Sequence, residues 1–275
     1  METPNIAFIG AGNMGRSLIQ GLLADGYPAD RLRVAEPNPE QRSRIQGLNP
    51  AAISDDNAAA VADAAVVVLA VKPQQMRGVA QQLAPALAGR APLVVSIAAG
   101  IRTVDLERWL GQGAIVRAMP NTPALLKVGA TGLYAGGGVT AEQREVAESI
   151  LRAVGLTVWV DDEGLIDVVT ALSGSGPAYF FLLMEVLENA GARLGLSREQ
   201  SRLLTLQTAL GAARMALESD ADPATLRAQV TSPGGTTEQA LRVMQEQGLA
   251  QIVEAAVEAA RARGGELAAR FGDGS

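Results

Sequence analysis

The sequence predicts an α/β chain. A doubly wound, mostly parallel sheet occupies residues 1–160, and an all-helical domain follows over 161–275. Three observations carry this reading. Short β-branched segments alternate with helical stretches as far as about Asp161. One of these segments, Val66–Val71, reads VVVLAV without a polar residue, as expected for a parallel strand covered on both faces. After Asp161 the strand pattern stops and only helical periodicity continues.

Each element follows from local pattern. Strands are expected at Ile6–Ile9, Leu32–Ala35, Ala65–Val71, Leu93–Ile97 and Ile115–Met119, with helices between them such as Met14–Ala24 and Gln75–Leu87. Gly129–Tyr134 and Thr157–Val160 read as further strands around a helix over Ala141–Val154. In the second half, helices are expected at Leu165–Leu172, Ala178–Leu194, Arg198–Leu217, Pro223–Val230, Thr237–Gln247 and Leu249–Arg270. Ser197 with Gln200 forms a capping box, and Asp222 before Pro223 is a start signal. The terminal residues FGDGS are expected to fray.

Composition narrows the chemistry. A chain of 275 residues buries a real core. With only 3% aromatics that core is built from Ala, Val and Leu, which favours close helix packing. The net charge of −6, without a basic cluster, argues against a nucleic-acid partner. Cysteine and histidine are both absent, which removes disulfides, thiolate nucleophiles, the usual zinc ligands and the commonest general base. No signal peptide is expected before the first strand, so the cytoplasm is the default compartment. The longest charge-free run, Val168–Met184, is broken by glycines, serines and a proline, and reads as buried protein, not a membrane span. Leu203–Leu217 is apolar on more than one face, which suits a core or a subunit interface.

The first strand runs into Gly10-Ala11-Gly12-Asn13-Met14-Gly15 and then a helix. Gly10 permits the tight turn, Gly12 lets backbone approach a pyrophosphate, and Gly15 lets the helix pack on the sheet. In this βαβ context the pattern reads as a Rossmann-like dinucleotide site. Glu36, just past the second strand, can accept from the adenosine ribose 2′-OH and would repel a 2′-phosphate, which leans toward NADH. Asn38 and Arg42 lie nearby and suit a phosphate, so NADPH stays open. The alternative role for Glu36 is to cap the loop before Pro37. Two further strand ends face the expected ligand crevice. Ala70-Val71-Lys72-Pro73 ends the VVVLAV strand, and Ser96–Gly100 supplies the small residues Ala98, Ala99 and Gly100, suited to a nicotinamide ribose. Met119-Pro120-Asn121-Thr122-Pro123 is a stiff loop in which Asn121 offers both donor and acceptor. Leu172–Tyr179 (LSGSGPAY) breaks one helix and opens the next, and Tyr179 reads as packing on an apolar helix.

The stretch Val230–Leu241 reads VTSPGGTTEQAL. Pro233, Gly234 and Gly235 force a turn, Thr236 is the expected N-cap, and Gln239 completes a capping box. Gly248 stops the helix. Backbone N–H groups at that helix start, with the hydroxyls of Ser232, Thr236 and Thr237, form a cradle suited to a carboxylate or phosphate.

Together with the dinucleotide fingerprint, the order TSPGGTTEQA resembles the signature of the Δ1-pyrroline-5-carboxylate reductases. Five motifs in the expected order carry the likeness along nearly the whole chain. The resemblance implies reduction of a cyclic imine to L-proline by NADPH or NADH, the last step of proline biosynthesis. It implies that Ala70–Pro73 lies along the cofactor, and that Met119, Pro120, Asn121 and the turn bearing Ser175 border the nicotinamide. It implies substrate binding by Ser232, Gly234, Gly235, Thr236 and Thr237, with Ser232 and Thr237 the catalytic candidates and the Thr237 hydroxyl at the ring nitrogen. It also implies a homodimer through the helical domain, with further assembly into a ring such as a decamer left open. A β-hydroxyacid or 6-phosphogluconate-type dehydrogenase would need a lysine in the helical half, and none follows Lys127. A non-catalytic nucleotide-sensing regulator would show gaps in the second-half motifs, and they are complete.

Overall fold

A computed structural model describes residues 3–48 and 52–272. Its sheet contains β1 (Ile6–Ile9), β2 (Leu32–Ala35), β3 (Ala52–Ser54), β4 (Val66–Leu69), β5 (Leu93–Ser96), β6 (Ile115–Met119), β7 (Gly129–Ala135) and β8 (Gly155–Trp159). The spatial order is β3-β2-β1-β4-β5-β6-β7-β8. The strands run parallel from β3 through β6; β7 turns antiparallel to β6, and β8 runs parallel to β7. The chain winds outward from β1 on one side and then crosses to β4 on the other, so the switch point lies between β1 and β4. In open α/β sheets ligands bind at the carboxyl ends of the strands at such a point.

The period-2 alternation of each central strand divides the core. Ile6, Phe8, Val66 and Val68 join one cluster, with Leu18 and Ile19 of α1 (Asn13–Ala24) and Ile150 and Leu151 of α6 (Ala141–Arg152). Ala7, Ile9, Val67 and Leu69 join the other. They pack with Met76 and Leu83 of α4 (Pro73–Leu87) and Leu106 and Trp109 of α5 (Thr103–Leu110). The sheet is therefore covered on both faces, and each large apolar side chain so buried contributes about 1.5–3 kcal/mol. The short helices α2 (Pro39–Gln46) and α3 (Asn57–Val61) start on the side-chain caps Asn38 and Asp56. Gly21 lets α1 approach α6 closely, because a Cβ there would lie 2.7 Å from the Ala153 carbonyl.

Two compact units divide the chain. One holds the residues up to Ser175 together with those from Ala259 on; the other holds Gly176–Glu258. This differs from the expected boundary at 160/161. The reason is Arg117 of β6, 2% exposed, which pairs with Glu163 at 3.3 Å and with Asp167 of α7 (Leu165–Val169) at 3.1 Å. Those ion pairs tie α7 to the sheet. The second unit contains α8 (Gly176–Arg193), α9 (Arg198–Glu218), α10 (Pro223–Gln229), α11 (Thr236–Glu246) and the first part of α12 (Leu249–Gly272). Within it α9 packs on α8, and the buried Ser201 hydroxyl donates to the Glu188 carbonyl at 2.7 Å.

Several expectations change. Neither Val168–Met184 nor Leu203–Leu217 is buried within a single chain. Phe180, Phe181 and Leu182 are 61–64% exposed, and Leu203, Leu204, Leu210 and Leu217 are also exposed. Of the two readings of Leu203–Leu217, core and interface, only the interface is compatible with this exposure. Among the described residues, Leu165–Arg193 is long and apolar enough to cross a membrane by length and composition, and little of it is buried within the chain. Of the terminal FGDGS, Phe271 and Gly272 do not fray: Phe271 is partly buried and Gly272 buried at the end of α12, and Arg108 donates to the Gly272 carbonyl at 2.6 Å. The remaining three residues lie outside the described ones.

Candidate active site

The first unit brings the expected cofactor segments to the carboxyl edge of the sheet. Gly10 has φ +91°, and a Cβ there would lie 2.8 Å from the Ala70 carbonyl oxygen. At Gly15 a Cβ would lie 2.7 Å from the Gly10 oxygen, so both positions exclude a side chain on backbone grounds. Gly12 is different: nothing lies within 4 Å of the Cβ direction. It is the N-cap of α1 and carries no side-chain cap. The N–H groups of Asn13, Met14 and Gly15 are thus at the uncapped positive end of a helix, facing open space beside a glycine. That open cradle is what a pyrophosphate requires, so the residues fit NAD(P)H.

Ala11 and Glu36 depart from the simple reading. Ala11 is fully buried, and its N–H donates to Glu36 Oε2 at 2.7 Å, so it is directed away from any pyrophosphate. Glu36 is 8% exposed; its Oε1 accepts from the Asn38 N–H at 2.9 Å, which is the loop-capping role weighed against ribose binding. Arg42 donates to the carbonyls of Glu36 and Pro37 at 2.8 and 3.0 Å, and lies 3.9 Å from Asp55. Its guanidinium therefore sits just past the end of β2, partly neutralised by protein groups.

Lys72 is exposed at the N-cap of α4, just past β4, with Pro73 at the first helical position. Ala98 and Gly100 are buried past β5; Gly100 has φ +70°, and a Cβ there would touch Phe271 and Leu267 of α12. Asn121 keeps neither amide end free. Its Nδ2 donates to the Ser173 carbonyl at 3.0 Å, and its Oδ1 accepts from the Ala130 N–H at 2.9 Å. It joins the loop after β6 to β7 and to the turn at Thr170–Gly174, where the Leu165–Leu172 helix was expected to end. That turn is π-helical, with the Ser175 N–H on the Thr170 carbonyl at 2.8 Å. Such turns recur at functional sites. Met119 packs on Gly174, where a Cβ would lie 2.7 Å from Met119 Cε. Met119, Pro120, Asn121 and Ser175 are thereby gathered together.

The substrate turn lies in the second unit. Gly234 has φ +71°, the Gly235 N–H closes the turn onto the Ser232 carbonyl at 3.0 Å, and a Cβ on Gly235 would lie 2.9 Å from that oxygen. The expected capping box is absent. Gly235, not Thr236, is the N-cap, extended at φ −81°, ψ 172° and without a side-chain cap. Because the helix starts one residue earlier, Glu238 instead of Gln239 occupies the third position, and its carboxylate accepts from the Gly234 N–H at 2.8 Å. The first three N–H groups of α11, from Thr236, Thr237 and Glu238, have no intrahelical partner. Thr237 is half-buried, and Ser232 and Thr236 are exposed.

Sequence reasoning missed the Arg117–Glu163–Asp167 cluster, which also binds the Thr103 N–H and hydroxyl through Glu163 at 2.7 and 2.8 Å. The signal was one arginine inside the apolar strand IVRAM.

Comparison with known proteins agrees with this arrangement. Residues 163–267 match the family model for pyrroline-5-carboxylate reductase dimerisation, and residues 5–100 match that for coenzyme F420-dependent NADP oxidoreductases. The chain is 58% identical to a pyrroline-5-carboxylate reductase of Pseudomonas aeruginosa, over 99% of this chain and 100% of that one. A solved pyrroline-5-carboxylate reductase from Coxiella burnetii superposes with a TM-score of 0.93 at 47% identity, covering 97% and 99% of the two chains. A Plasmodium falciparum pyrroline carboxylate reductase solved with NADP bound superposes with a TM-score of 0.83 at 30% identity, covering 98% and 99%. With both ends of the chain matched over their full length, the protein belongs to the pyrroline-5-carboxylate reductase family, NAD(P)H-dependent oxidoreductases of proline biosynthesis.

Proposed function

We propose that this chain reduces Δ1-pyrroline-5-carboxylate to L-proline. The observation that carries the reading is the uncapped Ser232–Thr237 turn, an anion cradle present in the same chain as the open Gly12 cradle. NAD(P)H, when bound, supplies the hydride. The N–H groups of Asn13, Met14 and Gly15 hold the pyrophosphate. Ala70–Pro73, Ala98–Gly100, Met119 and Pro120 line its course, and Asn121 positions the turn carrying Ser175. The N–H groups opening α11, with Ser232 and Thr236, hold the substrate carboxylate. The Thr237 hydroxyl bonds the ring nitrogen. The substrate arrives as a protonated iminium, so hydride addition at the C=N carbon gives the amine directly and no histidine is needed. Positioning then supplies most of the rate. Glu36 makes NADH usable and disfavours a 2′-phosphate.

The same reading divides labour between a dinucleotide-binding part, residues 1–160, and a substrate and dimerisation part, residues 161–275. Two chains pair through the apolar faces of α8 and α9, and the pairs assemble into a ring such as a decamer. Covering those faces within the assembly makes Leu165–Arg193 an interface helix and not a membrane span. The net charge of −6 disfavours nucleic acid. The reaction uses a soluble nucleotide, which is consistent with a cytoplasmic enzyme. Loss of NAD(P)H absorbance with pyrroline-5-carboxylate, and no gain of it from NAD(P)+ with β-hydroxyacids, tests the reading. Turnover of hydroxyacids alone would replace it.

A further inference from the structure

The ribose 2′-OH accounts for only part of what Glu36 is placed to do. Its own N–H donates to the Ser54 carbonyl at 2.9 Å, and its carbonyl accepts from Arg42 at 2.8 Å. Both carboxylate oxygens accept from backbone N–H groups, Ala11 at 2.7 Å and Asn38 at 2.9 Å. The side chain is thus held from every side. The partner at Ala11 is the middle of Gly10-Ala11-Gly12, and the preceding N–H, from Gly10, donates to the Ala35 carbonyl at 2.8 Å. Two consecutive bonds therefore sew the start of the glycine loop to the end of β2, and the second is made by a side chain. Ala11 is 0% exposed, so in the native chain its N–H has the carboxylate and not water as its partner. Without Glu36, a buried donor beside the pyrophosphate cradle loses a charge-assisted bond.

We propose that Glu36 is a positioning residue for the glycine loop: it fixes the loop in its binding shape for any nucleoside diphosphate, whether or not the ribose carries a 2′ group. The inference rests on the reading of Gly10–Gly15 as a dinucleotide loop. Each carboxylate oxygen has a second lone pair, so supporting the loop and accepting from a ribose hydroxyl are compatible. The bond to Ala11 also prevents the carboxylate from swinging aside for a 2′-phosphate. A small residue at position 36 therefore shifts the ratio toward NADPH while weakening both cofactors.

Calorimetric titration with ADP and with 2′-deoxy-ADP separates the two roles. Glu36→Ala is expected to weaken both ligands at least about tenfold. A loss confined to ADP, with 2′-deoxy-ADP bound as by the native chain, would overturn the loop role and leave a ribose contact only. If the native chain binds neither ligand, the dinucleotide reading fails and the proposal fails with it. Glu36→Met, which fills similar space but has no oxygen acceptor, guards against an unfolded alanine variant. Its glycine-loop amides should exchange with deuterium faster than native at an unchanged global melting temperature. Native exchange rates in that segment would refute the inference.

Discussion

The Asn121 side-chain nitrogen donates to the Ser173 carbonyl at 3.0 Å, across 52 residues of sequence. With its oxygen on the Ala130 N–H, one amide holds two turns that border the expected nicotinamide position. Asn121→Ala breaks both bonds and leaves a part-buried donor and acceptor to find water, at about 1 kcal/mol. The expected result is a kcat loss of about tenfold with ADP affinity unchanged. Equal losses in ADP binding and kcat would mean that the residue acts on the fold as a whole.

Gly12 and Gly15 should respond differently to the same added methyl. Gly12→Ala meets nothing within 4 Å, so the variant should fold with a native melting temperature yet lose nucleotide affinity. Gly15→Ala drives a Cβ to 2.7 Å from the Gly10 oxygen and should lower the melting temperature as well. Thermal scans with and without NADH read both effects. A Gly12→Ala protein that binds NADH normally would remove the pyrophosphate from that cradle.

Thr237→Ala should lower kcat/KM for pyrroline-5-carboxylate about ten- to a hundredfold, the worth of one hydrogen bond to a charged group. Cofactor affinity should hold, since the glycine loop carries it. Steady-state kinetics at varied imine and varied NADH separate these. A defect seen only with varied NADH would move Thr237 out of the substrate site.

Much of this site was legible in the sequence, and the exceptions have physical causes. The glycine loop and the strand ends followed from spacing, because Gly10 and Gly15 answer local steric demands and Gly12 leaves the space open between them. Glu36 and Asn121 follow β2 and β6 as the spacing expected, but their bonds to Ala11 and Ser173 span 25 and 52 residues and leave no local pattern. The N-cap at Gly235 was displaced because Thr236 is the better capping side chain, while the turn closing on Ser232 fixed the start one residue earlier. The three-residue β3 was too short to show a period. The exposed Phe180 read as buried, and Leu203 as core or interface, because apolar periodicity does not say which chain covers a face.

That coverage gives the next prediction. Leu210 is 61% exposed on α9, and Leu210→Glu should split the assembly into monomers with lost activity. Sedimentation velocity at assay concentration reads the outcome. A native chain that sediments as an active monomer would contradict pairing through this face.

Acid should weaken the first unit through Glu148. Its carboxyl is held below the ordinary value of 4.5, first by the hydrogen bond from Trp159 Nε1 at 2.9 Å and further by Arg152. The folded state therefore binds this proton less readily than the unfolded one. The stabilisation is present above about pH 4.5 and is lost as pH falls through the lowered folded value. Denaturant titrations followed by tryptophan fluorescence should show stability declining in that range, with a shallower decline in Glu148→Gln. Identical slopes for the two proteins would exclude Glu148 as a source.

The most direct measurement follows the hydride itself. With NADH or NADPH deuterated at the transferring face of nicotinamide C4, and pyrroline-5-carboxylate as substrate, mass spectrometry and NMR locate the label in the product. The expected product is L-proline carrying deuterium at C5, the former C=N carbon. Absence of proline, or proline without the label, would contradict the assignment of this chain as the reductase.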